Sequence, residues 1–144
     1  MMKKFLALAA AALCLLACNG KDNPDTPGGG SKKTDVTGCW ELSSVATKAS
    51  IGNVSVSVYM SFGTDGNFEL WQKIGEGRYS YFSGTYKLGA DNSLSGSYSD
   101  GKTWGPYQAS TADNKLTLTT SGGSEVDTYN KISSIPDAVT GNVY

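Results

Sequence analysis

The chain contains three cysteines and no histidine, which limits the chemistry that its side chains can perform. Histidine is the usual proton-transfer residue near neutral pH, and it commonly serves as the base that activates a serine or cysteine nucleophile. Cys39 has no such base, and Cys14 and Cys18 lie in an N-terminal segment with a different role. We therefore interpret Cys39 as a small structural residue and predict that the protein is not an enzyme.

Metal and cofactor sites are not predicted either. Asp-Gly and Asp-Asn pairs recur along the chain, but none continues into a twelve-residue calcium loop closed by Glu. No glycine-rich phosphate loop links a strand to a helix. Glu69 and Asp127 alternate with polar neighbours, which predicts that both carboxylates lie on solvated faces.

The charge balance argues against nucleic acid as a partner. Without Lys3 and Lys4 of the N-terminal segment, ten basic residues remain against 13 acidic ones, a net charge of about −3. Proteins that bind nucleic acid usually present a basic patch or stripe to the phosphates. No such stripe is present in this sequence.

The N-terminus has the organisation of a secretion signal. Two lysines precede an apolar run of 12 residues, which is shorter than the roughly 20 needed to cross a bilayer. The run ends in Leu15-Leu16-Ala17-Cys18, which resembles the bacterial lipobox. The resemblance implies that residues 1–17 are a lipoprotein signal peptide and that Cys18 is acylated and anchors the protein to a membrane. A plain signal peptide with an incidental cysteine is the alternative.

Residues 18–33 are predicted to be the lipidated N-terminus and a flexible linker, because they are mostly polar and rich in Gly and Pro. A linker of this length spans about 20 Å on average. Lys21-Asp22 with Asp25 loosely resembles the export signal of Bacteroidetes surface lipoproteins. The expected location is the bacterial cell envelope, with the protein anchored to the outer membrane on its periplasmic face or at the cell surface.

Residues 34–144 are predicted to form one all-β domain. Val54, Val56 and Val58 alternate with polar residues, which is typical of a strand with one buried face. Similar segments recur between short sequences rich in Gly, Asp and Asn. The predicted strands are 37–46, 54–62, 67–74, 78–88, 93–99, 102–111, 115–121 and 125–132. Eight short strands at this spacing indicate an antiparallel barrel or sandwich, with a bulge or edge at Gly105-Pro106.

The hairpin loops determine which residues face each other. A three-residue loop at 64–66 pairs Phe62 with Phe68 and keeps one face apolar, whereas a two-residue loop would bring Glu69 onto that face. We predict three-residue loops for this hairpin and the next two. One face then carries Phe82 and other aromatic residues that would line an interior ligand site. These candidate ligand-binding residues are Phe82, Tyr86, Tyr98 and Trp104.

The same registers place three aromatic residues side by side on the opposite face of adjacent strands. We refer to Tyr59, Trp71 and Tyr81 as the aromatic stripe. Two interpretations remain open: a C-terminal segment around 135–139 covers the stripe, or the stripe is a binding platform.

Several short motifs, in a characteristic order, resemble a known family. Gly38-Cys39-Trp40 is similar to the Gly-x-Trp of the first lipocalin strand, and Asp65-Gly66-Asn67-Phe68 and Gly84-Thr85-Tyr86 follow it. Together they resemble the small lipocalin-like (calycin-like) lipoproteins of Bacteroidetes over about residues 36–132. The resemblance implies an eight-stranded up-and-down barrel with Trp40 packed at its closed base.

Two functions follow as expectations. The first is an envelope-anchored, non-catalytic binding protein that holds a small apolar or amphipathic ligand inside the barrel. The second is a protein- or glycan-binding accessory or inhibitor module that has a filled core and binds through its outer surface or rim. The second is supported by the domain's 111 residues, which are few for a lipocalin and leave little room for a ligand.

Overall fold

The computed structural model describes residues 33–45 and 54–144. The predicted signal peptide, the lipidation site Cys18 and the linker up to residue 32 lie outside the described residues, as do residues 46–53. The eight strands are β1 (Gly38–Val45), β2 (Val56–Phe62), β3 (Asn67–Ile74), β4 (Ser80–Leu88), β5 (Ser93–Tyr98), β6 (Thr103–Ala112), β7 (Lys115–Thr120) and β8 (Val126–Ile132). One short helix, α1 (Asp137–Thr140), follows β8. In the described part of the chain no helix is long and apolar enough to cross a membrane.

The strands form a closed barrel in which each strand pairs with its neighbours in sequence and β8 pairs back with β1. Every pairing is antiparallel, including the closing one, in which Trp40 lies opposite Lys131. Closure leaves no free sheet edge. The prediction of an all-β, eight-stranded up-and-down barrel is confirmed.

The predicted hairpin registers are also observed. Phe62 pairs with Phe68, and Gly66 has a φ of +83° in the loop between them. Asn92 takes up the left-handed conformation, with a φ of +62°, in the loop between β4 and β5. These residues tolerate positive φ, and this allows the three-residue loops that keep one face of each hairpin apolar.

The irregularity predicted at Gly105-Pro106 is located between β5 and β6. Gly96 pairs with Trp104, whereas Leu94 pairs with Tyr107, so the register shifts by one residue across the Gly-Pro pair. The shift lets Trp104 and Tyr107 both contribute to the apolar interior. A bulge of this kind is a usual way to keep side chains facing inward where the pleat is interrupted.

The two ends of the barrel are built differently. At one end, Val36 is buried and its carbonyl accepts a hydrogen bond of 2.8 Å from the indole Nε1 of Trp40. The amide of Thr34 donates to the Asn92 side chain in a loop at the same end, so the segment before β1 crosses and closes this opening. We call it the Trp40 end. The opposite end, where β8 begins at Val126, is called the Asp127 end.

A second, smaller core lies outside the barrel, under the C-terminal segment. Val139 of α1 is 3% exposed and packs with Trp71 and Tyr79. Beyond the helix, the backbone of Tyr79 exchanges hydrogen bonds with Asn142 and Tyr144. The C-terminal residues therefore form a strap across the outer face of β3 and the start of β4.

Candidate functional site

The middle of the barrel is filled by side chains, and its Trp40 end carries a shallow depression of about 320 Å³ beside Trp40 and Lys131. Trp40, Met60, Phe68 and Leu70 are each 1% exposed. The ammonium of Lys131 lies 5.4 Å from the centre of a Trp40 ring, so the charge sits against the indole at this end. The packing of these buried side chains stabilises the fold.

The four aromatic residues predicted to line an interior site all contact the core, but they do not form one group. Phe82, Tyr98 and Trp104 lie toward the Asp127 end. The ring centres of Phe82 and Tyr98 are 5.9 Å apart, and Phe68 contacts both Tyr98 and Trp104. Tyr86 lies toward the Trp40 end, where its hydroxyl donates to the Gly63 carbonyl at 2.7 Å. Tyr86 is thus better placed to hold a hairpin loop than to reach a ligand at the Asp127 end.

The prediction that Asp127 lies on a solvated face is wrong. Asp127 pairs directly with Leu118, a residue of the barrel core, and therefore points to the inner face. Its neighbour Tyr129 is 4% exposed on the same face. Glu69, in contrast, lies outside as predicted, between two serines of the adjacent strands. Asp127 is the ionisable residue that the sequence pattern misplaced.

Burial changes the acid–base properties of the side chains at this end. Desolvation raises the pKa of Asp127 to about 6, and the nearby charge of Glu125 adds to the effect. Burial also raises the pKa of Tyr107 to about 12, and the charges of Asp127 and Glu125 add to this shift. The pKa values of Tyr98 and Tyr129 are raised mainly by burial as well. The phenols remain protonated donors near neutral pH, whereas Asp127 titrates close to it.

Trp104 adds a buried hydrogen-bond donor without a partner. Its ring is 4% exposed, it lies 6.3 Å from the ring centre of Tyr107, and its Nε1 has no hydrogen-bond acceptor among residues 33–45 and 54–144. A buried donor without a partner is costly, and such costs are tolerated mostly where a ligand or a solvent molecule supplies the missing contact.

The Asp127 end thus combines aromatic rings, phenol hydroxyls, an indole N–H and the carboxyl of Asp127 on the inner face of the barrel. This set of groups can hold the apolar body of a small molecule and orient its polar group. Within residues 33–45 and 54–144, no group of three or more His, Cys, Asp or Glu side chains is close enough to share a metal ion.

The aromatic stripe exists as predicted, and most of it is covered. Tyr59 pairs with Trp71, and Trp71 pairs with Tyr81. Trp71 is 6% exposed under Val139. The Tyr59 hydroxyl donates to Glu41 at 2.8 Å, and burial together with this contact raises the pKa of Tyr59 to about 12. The interpretation in which the C-terminal segment covers the stripe is therefore correct for Tyr59 and Trp71.

Tyr81 is the exception, because the strap leaves its ring 44% exposed. Its hydroxyl donates to the Glu69 carboxylate at 2.7 Å, and its ring centre lies 5.4 Å from that of Trp71. Next to this ring is an outward-facing depression of about 580 Å³ on β2, β3 and β4. We call this depression the outer groove.

Cys39 faces outward on β1. It is partly exposed, and its thiol lies 3.8 Å from the hydroxyl of Ser61. No disulfide joins it to another cysteine in the described part of the chain. These contacts agree with a small structural role for Cys39.

The barrel is similar in fold to a lipoprotein. That protein is the lipoprotein YedD from Klebsiella pneumoniae, which superposes with a TM-score of 0.51 over 74% of this chain and 79% of its own, at 8% sequence identity. The sequence matches no protein-family profile and no curated protein. At this identity the likeness concerns the fold alone.

Proposed function

We propose that this protein is a non-catalytic binding protein that is anchored to the bacterial envelope and takes a small amphipathic ligand at the Asp127 end of its barrel. The closed antiparallel barrel supports a lipocalin-like binding protein, and a lipoprotein from Klebsiella pneumoniae has a similar fold. The lipobox ending at Cys18 supports the anchor, and the motif order from Gly38 onward supports a small lipocalin-like lipoprotein of the Bacteroidetes type.

The observation that carries the ligand site is the inward-facing carboxyl of Asp127 among buried aromatic side chains. A carboxylate in this position lowers the stability of the folded protein, because its pKa is raised above that of an exposed aspartate. Perturbed titratable groups cluster at functional sites. A ligand whose polar group pairs with Asp127, and whose apolar part lies against Phe82 and Trp104, would relieve this cost.

Membrane anchoring is tested by removing the thiol. We expect the Cys18→Ser protein to leave the membrane fraction, since two or three acyl chains are needed for stable attachment and their attachment begins at this residue. Cys39→Ser is the matched control and should stay with the membrane. The anchor proposal fails if Cys18→Ser still sediments with membranes after a high-salt wash.

The ligand site is tested with a neutral apolar fluorescent probe, N-phenyl-1-naphthylamine, on the non-lipidated Cys18→Ser protein. We expect saturable binding that Tyr107→Ala weakens by about tenfold or more, because the substitution removes part of the aromatic wall. Asp113→Asn, in the loop at the Trp40 end, is a control that should leave the affinity unchanged. No saturable binding, or equal loss in both variants, would contradict a site at the Asp127 end.

The alternative is a module that binds a glycan or a protein through its outer surface. The observation that favours it is the outer groove beside the exposed ring of Tyr81. The aromatic stripe as a whole supports it less, because the strap covers Trp71.

A further inference from the structure

The outer groove owes its shape to small side chains that flank one carboxylate. Glu69 on β3 lies directly opposite Ser61 on β2 and Ser83 on β4. Directly opposed residues share a face of the sheet, so two short hydroxyl side chains stand on either side of the longer glutamate. The next directly opposed pair on this face is Trp71 and Tyr81, and their rings form one side of the groove. The resulting depression of about 580 Å³ falls within the roughly 300–1,000 Å³ typical of small-molecule sites.

The Tyr81 ring at the side of this groove is held in place before any ligand arrives. Its hydroxyl is bound to Glu69 at 2.7 Å, and Trp71 supports its ring from behind at 5.4 Å. Trp71 is itself fixed beneath Val139 of the strap. A ring that is both exposed and immobilised loses little entropy on binding, which is the property of a good aromatic contact.

Apart from Phe68 and two glycines, the rest of the lining is polar, and its charge has one sign. Asn67, Thr85 and Ser99 add an amide and two hydroxyls, and Asp65 lies at the end of the groove. Both oxygens of Asp65 already accept from Asn67, at 2.7 Å from its side chain and 3.0 Å from its backbone amide. The contact of Glu69 with Tyr81 uses one oxygen, Oε1, so Glu69 is the carboxylate that is better placed for a ligand. No Lys or Arg is among the described residues that line the groove. An anionic ligand would therefore be repelled.

A protein partner fits this surface less well. Protein interfaces rely on several buried apolar anchors at their centre, and the strap already covers the rings of Trp71 and Tyr79. A single planar ring surrounded by carboxylate, amide and hydroxyl groups matches instead a ligand with flat C–H faces and many hydroxyls.

We propose that the outer groove binds a neutral oligosaccharide, with one sugar ring stacked on Tyr81 and its hydroxyls hydrogen-bonded to Glu69 and Asn67. This inference deepens the outer-surface alternative, and it does not depend on the interior site at the Asp127 end. The sugar's C–H face would cover the exposed ring. The Glu69 carboxylate would accept hydroxyl protons, as it does from Tyr81.

The test uses the non-lipidated Cys18→Ser protein and calorimetric titration with maltohexaose, cellohexaose, xylohexaose and chitohexaose. At least one neutral chain should bind with a dissociation constant below about 1 mM. Tyr81→Ala should weaken that binding about tenfold or more, whereas Tyr81→Phe, which keeps the ring, should weaken it by about threefold or less. Tyr144→Ala removes a tyrosine that is more exposed than Tyr81 and lies outside the groove, and it should have no effect.

Three results would overturn the proposal: no binding of any neutral hexasaccharide at about 5 mM, equal binding by wild type and Tyr81→Ala, or tighter binding of oligogalacturonate than of every neutral chain. If Tyr81→Ala fails to fold by circular dichroism, Glu69→Gln replaces it and should still weaken binding. Asp127→Asn should leave the sugar affinity unchanged while altering binding of the apolar probe. A negative result for sugar binding at the groove can therefore be distinguished from a negative result for ligand binding at the Asp127 end.

Discussion

The two ends of the barrel contain similar residue types, but they differ in whether their polar groups have hydrogen-bond partners. At the Trp40 end, the indole N–H has its acceptor in Val36, and the chain before β1 closes the opening. At the Asp127 end, the indole N–H of Trp104 has no acceptor in the described part of the chain, and a carboxyl faces the interior. Satisfied polar groups indicate an end built for stability. The unpaired indole N–H of Trp104 and the buried carboxyl of Asp127 lower stability, which indicates that this end has another role.

The comparison predicts that substitutions at the Trp40 end have the largest effect on stability. Trp40→Ala should lower the free energy of unfolding by about 3–5 kcal/mol, because it leaves a cavity in a packed core. Urea denaturation followed by circular dichroism measures this loss. Trp40→Phe keeps much of the apolar volume and should cost less. A loss below about 1 kcal/mol for Trp40→Ala would show that this end does not hold the fold together.

A smaller loss of stability is expected from deleting the strap, because the strap packs on the outer face of the barrel and not in its interior. Deleting residues 133–144 should cost about 2–3 kcal/mol, because Val139 and its neighbours lose their burial while the chain regains entropy. The deletion also exposes Trp71, so its fluorescence should shift to the red. An unchanged unfolding midpoint with unshifted fluorescence would mean that the strap does not cover the stripe in solution.

The barrel was predictable because its local signals agree with one another. Gly66 and Asn92 fix the loop length, and with that length Phe62 and Phe68 fall on one face. The covering of Trp71 was left open, because it depends on where α1 lies after the chain leaves β8. No strand periodicity contains that information.

Asp127 was assigned to the wrong face because the hydropathy pattern of β8 is misleading. In β8 the inward residues are Asp127, Tyr129 and Lys131, whereas Val126 and Thr128 face outward. Hydropathy alone assigns the wrong face to this strand. Pairing of Tyr129 with Leu116 in β7 determines the orientation, and that pairing could not be read from β8 itself. The unpaired indole of Trp104 was equally hidden, since a residue's hydrogen-bond partners are a property of the fold.

The smallest change in stability is expected for Asp127→Asn. Unlike Trp40→Ala and deletion of the strap, this substitution should raise the free energy of unfolding. The pKa of Asp127 is raised from 3.8 to about 6 on folding, so ionisation costs the folded protein more than the unfolded chain. Its contribution to stability is greatest below about pH 4, falls as the pH rises to about 6, and is constant above that. Because solvent reaches part of this carboxyl, we expect Asp127→Asn to stabilise the protein by about 1–2 kcal/mol at pH 7.

The pH dependence separates this effect from a general gain in stability. At pH 4 the Asp127→Asn protein and the wild type should have nearly the same unfolding midpoint, because the wild-type carboxyl is then protonated. Asp113→Asn, in the exposed loop at the Trp40 end, should show no pH-dependent gain. Destabilisation by Asp127→Asn at pH 7 would instead indicate that the carboxylate has a favourable partner in the folded protein.

The most direct test of the difference between the two ends is the titration of Asp127 itself. Its side-chain carbonyl ¹³C shift can be followed by NMR from pH 3 to pH 8 in the non-lipidated Cys18→Ser protein, with Asp127→Asn to assign the signal. We expect a midpoint of about 6 for the Asp127 carboxyl. A midpoint at or below about 4, as for an exposed aspartate, would contradict an inward-facing, desolvated carboxyl and the ligand site built on it.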